Sequence, residues 1–213
     1  MRKKLIAANW KMYKTPDEAK TFVKEFIPLV SGQKHADIVL CASPTLLPAV
    51  VDAARNNPIR VSAQDMHWMD QGAYTGETSP LMLKALGVTH VLIGHSERRQ
   101  YFNETDESVN LKLKSALAHG LTPIVCVGEL LAERESNQTE EVLVRQTSIG
   151  LSGIDASAAA PIVIAYEPVW RSELDGRLRR RSRRMLTGLS GSRSRRSWAG
   201  RSRQQCASST ADR

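Results

Sequence analysis

Six short apolar runs rich in β-branched residues recur along the chain, at Leu5 to Ala8, Ile38 to Ala42, Ile59 to Ala63, His90 to Gly94, Pro123 to Val127 and Pro161 to Ala165. Between successive runs the apolar residues return at helical spacing, over residues 16–30, 46–56, 79–86, 105–119 and 139–151, and several of these segments open on Ser, Thr or Pro. Those residues cap the free N–H groups of a first helical turn or have none to cap. A strand that reaches the next strand only through a helix pairs with it in parallel. The runs are apolar on both faces, as strands buried on both sides require. The pattern therefore predicts an α/β fold with a parallel sheet, and by itself leaves a closed barrel and an open doubly wound sheet both standing. No glycine-rich phosphate loop follows the first run, which argues against a nucleotide-binding sheet.

A parallel sheet gathers the C-terminal ends of its strands on one side, where ligands bind. Polar residues stand just past these ends: Asn9 and Lys11, Gln64 and Asp65, His95 with Glu97, Glu129, and Glu167. Their placement reads as one site assembled from several strands.

The net charge of +8 raises the question of a polyanionic partner, and its distribution answers for most of the chain. Residues 171–213 hold 13 Arg, no Lys and 3 acids, so residues 1–170 keep 17 basic against 19 acidic side chains. The body is mildly acidic and the tail carries the excess. Three cysteines, Cys41, Cys126 and Cys206, are too few and too scattered for a disulfide framework or a zinc site, and are expected as reduced thiols with no bound metal. No apolar run approaches the roughly 20 residues of a membrane span, and Met1-Arg2-Lys3-Lys4 leads straight into the first run, so a cytoplasmic protein without a membrane partner is expected.

At the same strand ends the sequence reads Asn9-Trp10-Lys11-Met12, Gly72-Ala73-Tyr74-Thr75-Gly76-Glu77-Thr78, Ile93-Gly94-His95-Ser96-Glu97-Arg98-Arg99, Cys126-Val127-Gly128-Glu129 and Ala165-Tyr166-Glu167-Pro168-Val169-Trp170. In kind, order and spacing these resemble the motifs of the triosephosphate isomerase family across residues 1–170. The resemblance implies a (β/α)₈ TIM barrel, here incomplete, with six of eight βα units, and an aldose–ketose isomerase of glycolysis and gluconeogenesis that interconverts dihydroxyacetone phosphate and D-glyceraldehyde 3-phosphate without a cofactor. Such a reaction needs a base for a C–H, an electrophile for the neighbouring carbonyl, and positive charge near the developing enediolate and the phosphate. The resemblance assigns Glu167 as base, a neutral His95 as electrophile at the start of a helix opened by Ser96, Lys11 as the positive charge, Asn9 as an amide holding substrate oxygens, and Glu97 as the charge partner of Lys11. It also makes the loop bearing Thr75 reach the active site of a second subunit, which implies a homodimer. Cys126 reads as a small buried residue, Trp10, Trp68 and Trp170 as packing, and His35, His67, His90 and His119 carry no assignable role.

After Trp170 the resemblance stops. The family's glycine-rich lid and its phosphate loop on the seventh strand are replaced by Arg179-Arg180-Arg181-Ser182-Arg183-Arg184 and Ser192-Arg193-Ser194-Arg195-Arg196-Ser197, in a stretch too poor in apolar residues to order itself. One reading is an inactive barrel fragment with a nucleic-acid-binding Arg/Ser tail. The preferred reading is translation in the wrong frame. If one G is lost after the TGG codon of Trp170, codons open to Arg171 to Arg177, with third bases chosen to suit, can be read one base over as Ala-Ile-Gly-Thr-Gly-Arg, and those of Gln205 to Arg213 as Val-Arg-Ile-Leu-Tyr-Gly-Gly-Ser. These are the family's lid and phosphate loop. On this account the domains are a partial barrel at 1–170 and a frame-shifted, disordered tail at 171–213, and the chain as written is impaired.

Overall fold

Local signals in the sequence set the helix ends. The structure, a computed structural model of the chain, describes residues 3–170; the expectations for residues 171–213 lie outside the described residues. Thr15 opens α1 (Pro16–Val30) with a reciprocal cap: its hydroxyl accepts the Glu18 N–H, and the Glu18 carboxylate accepts the Thr15 N–H at 2.7 Å. Ser79 caps α3 (Pro80–Leu86), and Gly87 ends it at φ 87°, a conformation that costs glycine little. Thr105 caps α5 (Asp106–Ala118). The remaining helices are α2 (Leu47–Ala54), α4 (Ser96–Tyr101), α6 (Leu131–Glu135) and α7 (Thr139–Gly150).

The strands are β1 (Lys4–Asn9), β2 (Ala36–Ala42), β3 (Ile59–Ala63), β4 (His90–Ile93), β5 (Thr122–Val127) and β6 (Val163–Tyr166). All pair in parallel, in the order β1-β2-β3-β4-β5-β6. That order resolves the open choice of topology. A doubly wound sheet reverses direction at a switch point, whereas a sheet that adds every strand on the same side curls toward a barrel.

Side-chain alternation divides the core into two. Leu40, Val61, Val91, Ile93, Val125 and Val127 face outward and pack with Val23, Leu47, Val50, Leu83, Val109 and Leu113 of the helices. Val39, Cys41, Leu92, Ile124 and Cys126 face the other way and form a smaller cluster of strand residues alone, the inside of the curl. Among the described residues β1 and β6 each pair along one edge only, and Ile6 and Ile164 are 58% and 44% exposed there.

Most boundaries shift by one or two residues, and two of the shifts have a local cause. β6 starts at Val163 rather than Pro161, because Ile162 N–H bonds back to the Ala159 carbonyl and holds the chain in a turn. The second helix stops at Ala54 rather than Asn56, because Asn56 takes a left-handed conformation at φ 62°.

Candidate functional site

The end of β1 is held in a strained shape by amides from its neighbours. Lys11 has φ 52°, in the left-handed region that non-glycine residues occupy at a cost of about 1–3 kcal/mol. Three hydrogen bonds fix it there. Its N–H donates to Asn9 Oδ1 at 2.9 Å, and the Gln64 side-chain amide, at the end of β3, donates to the Lys11 carbonyl at 2.9 Å and to Asn9 Oδ1 at 3.1 Å. From this backbone the Lys11 ammonium reaches Glu97 Oε1 at 2.8 Å.

His95 follows β4 and is the N-cap of α4. Its Nδ1 accepts the Glu97 N–H at 3.2 Å. A nitrogen that accepts carries no proton, so this hydrogen bond assigns the neutral tautomer with hydrogen on Nε2. Nε2 points at Glu167 Oε2, 3.4 Å away at the end of β6. The imidazole is buried and the carboxylate partly open. One strand end thus offers a proton donor, another a carboxylate to take a proton, and a third an ammonium.

Glu129, beyond β5, is wholly buried and accepts from Tyr166 Oη at 3.1 Å, Trp170 Nε1 at 3.1 Å and Arg134 at 3.2 Å. Burial alone would raise its pKa, but hydrogen bonds from its own backbone, Trp170, Arg134 and Tyr166 outweigh it and hold the carboxyl below its usual 4.5. Trp170 is therefore more than packing, because its indole N–H ties the chain after Glu167 to a buried charge.

A second buried group of charges joins the base of the loop after β3 to the helices beneath it. Lys112 of α5 bonds to Asp65 at 2.7 Å and to Glu104 at 2.8 Å, and Arg98 of α4 bonds to Asp65 at 2.9 Å. Burial raises the Asp65 carboxyl, and the ammonium of Lys112 works against that rise.

Asn9, Lys11, His95 and Glu97 come together along one cleft of about 790 Å³, which Gln64, Met12, Tyr13, Tyr101 and Phe102 also line. Ser96 is the first residue of α4 and lines, with Glu167 and Gly128, a small cavity behind the His95 strand end. Thr75 is exposed in the loop after β3 and does not line this chain's cleft. Cys126 is buried, and burial first, with the charge of Glu167 second, pushes its thiol up to about 12. Gln64 stood among the strand-end polar residues without an assigned role, and Gln146 carried no signal at all. Among the described residues no group of three or more His, Cys, Asp or Glu side chains could hold a metal ion, and no helix is long and apolar enough to cross a membrane.

A sequence model of one family, described as triosephosphate isomerase, matches residues 4–171. The triosephosphate isomerase of Solibacter usitatus is 58% identical over 170 residues, which are 80% of this chain and 68% of that one. That of Dictyoglomus thermophilum is 53% identical over the same shares. Among solved structures, the triosephosphate isomerase of Bartonella henselae superposes with a TM-score of 0.74 at 39% identity, covering 79% of this chain and 69% of that one.

Proposed function

The chain belongs to the triosephosphate isomerase family, and on that premise we propose that its described strand ends perform the family's proton transfer with Glu167 as the base. Its fold is a partial TIM barrel and its enzyme class an isomerase. Dihydroxyacetone phosphate and D-glyceraldehyde 3-phosphate differ only in the placement of two hydrogens, one moved between adjacent carbons and one between their oxygens. Glu167 takes a proton from the carbon beside the carbonyl, and the electron pair moves into a C–C double bond. The carbonyl oxygen gains the Nε2 proton of His95 as the enediolate resolves to an enediol. Glu167 then returns its proton to the neighbouring carbon, and His95 recovers one from the other oxygen. No electrons are gained or lost. Lys11 balances the negative charge of the phosphate and the enediolate, Asn9 holds substrate oxygens, and Glu97 and Ser96 support the Lys11 and His95 ends.

The observation that carries this reading is the facing pair of His95 Nε2 and Glu167 Oε2 at 3.4 Å, with the tautomer of His95 assigned by the Glu97 N–H. It supports a proton donor and a proton acceptor side by side, each within reach of adjacent atoms of one small substrate. In the frame-restored chain, Glu167→Ala is expected to lower kcat by at least about a thousandfold. Loss of less than tenfold would remove Glu167 from the role.

We read the partner as a second copy of this chain. Met12, Tyr13 and Phe102, at 96%, 71% and 64% exposure, put a large apolar surface at the mouth of the cleft. The loop after β3 has the complementary character, with His67 stacked on Trp68 at a ring separation of 4.2 Å, tilted against Tyr74 at 4.1 Å, and Thr75 exposed in the same loop. A two-fold arrangement that puts each loop into the other copy's cleft uses both surfaces and brings Thr75 to the site.

For residues 171–213 we propose the frame-shifted reading. The family match ends at residue 171, where the restored frame would continue it into a lid and a phosphate loop. The relatives support the isomerase and give no support to a nucleic-acid-binding tail.

A further inference from the structure

A buried amide on the outer helix layer reaches the proposed catalytic carboxylate through a single residue. Gln146 lies on α7 and is 5% exposed. Its Oε1 accepts the Gly128 N–H at 2.9 Å and its Nε2 donates to the Gly128 carbonyl at 3.1 Å, so both edges of the amide are spent on one residue. Gly128 stands just past the end of β5 and is itself buried. Nothing else among the described residues satisfies its N–H and carbonyl, and buried backbone groups left without partners cost about 1–3 kcal/mol each.

Gly128 is also the surface on which Glu167 rests. A β-carbon built there would collide with the Glu167 carbonyl oxygen and lie 2.8 Å from its carbon. Two further hydrogen bonds hold this stretch of chain to the end of β5, from Glu167 N–H to the Val127 carbonyl at 2.9 Å and from Val169 N–H to the Glu129 carbonyl at 3.0 Å. The Glu167 backbone is thus registered against Gly128, and the orientation of the two peptides that meet there is set by Gln146.

We propose that Gln146 is a positioning residue for Glu167, acting through Gly128, whose N–H and carbonyl it holds together. This rests on Glu167 being the base. Without the grip, the peptides on either side of the Gly128 Cα turn to seek other partners, and the surface beneath Glu167 turns with them. A carboxylate that must stay within reach of a C–H loses rate for a displacement of about 1 Å, while substrate binding through Lys11 and Asn9, at the end of β1, is untouched.

The test uses Gln146→Met, which keeps the length and volume and removes both hydrogen bonds, and Gln146→Glu, which keeps an acceptor for the Gly128 N–H but loses the donor. Peptide-resolved hydrogen–deuterium exchange on the full 213-residue chain should show faster exchange, by about tenfold or more, in residues 126–130 and 163–168 for Gln146→Met, with β2 to β4 unchanged and Gln146→Glu between the two. In the frame-restored chain, kcat for Gln146→Met should fall about tenfold or more with KM within about twofold. Exchange that rises equally everywhere would make Gln146 a stabilising residue only and overturn the proposal, as would unchanged exchange at 163–168 or an unchanged kcat. Glu167→Ala in the same assay separates the two ideas: an active Glu167→Ala chain sinks the base assignment, while the exchange result still reports on the grip.

Discussion

Lys11 shows how one residue's position depends on groups remote in sequence. Its left-handed backbone is held by Asn9, two residues away, and by Gln64, which the fold brings from the end of β3. Gln64→Leu keeps the volume and removes every bond of that amide, so Lys11 should relax and its ammonium leave the cleft. The expected result is a KM raised about tenfold with a smaller change in kcat, read by steady-state kinetics in the frame-restored chain. The thiols make a second residue-scale prediction. Burial pushes Cys41 up to about 11 and Cys126 up to about 12, from an ordinary 9.0. Above pH 9 the unfolded chain loses thiol protons that the folded chain keeps, so it binds fewer protons and stability falls as pH rises. The thiol contribution is intact below pH 9 and lost through pH 11 to 12. Urea midpoints taken from pH 8 to pH 11 should therefore decline less steeply in Cys126→Ala than in the parent, and equal slopes would contradict the assignment.

At the scale of elements, α4 and α5 tie the strand ends of the candidate site to the body. α4 carries His95 as its cap and presents Glu97 to Lys11, while its Arg98 meets the Asp65–Lys112–Glu104 group that pins α5 to the end of β3. Removing the ammonium with Lys112→Met leaves two buried carboxylates sharing only Arg98. Loss of one partner from such a group costs about 3–5 kcal/mol, which a shift in the urea midpoint would show. A change under 1 kcal/mol would mean that water replaces the ammonium. The elements themselves were largely legible. Thr15 with Glu18, Ser79 and Thr105 mark helix starts by local chemistry, and the β-branched runs place every strand to within two residues. α6 escaped because Leu131–Glu135 is too short to show a period. Asn9, Lys11, His95 and Glu167 were legible as polar residues at strand ends. Gln64 and Gln146 were not given their roles, because the worth of a buried amide lies in partners that only the folded chain supplies.

For the whole molecule, six parallel strands in sequence order bring these groups to one rim, and β1 and β6 keep edges unpaired among the described residues. The frame-shift proposal makes the same statement about the gene, since the two restored stretches belong to the lid and the phosphate loop that would complete the site above Glu167. In a site open to water, dielectric screening weakens the Lys11 ammonium and the His95 N–H toward the developing charge. The most direct measurement is isomerisation of D-glyceraldehyde 3-phosphate to dihydroxyacetone phosphate, followed side by side in the 213-residue chain and in a chain with one G restored after the Trp170 codon. The account predicts turnover by the restored chain and a rate at least about a thousandfold lower for the chain as written. Equal rates in the two, or no turnover in the restored chain, would contradict it.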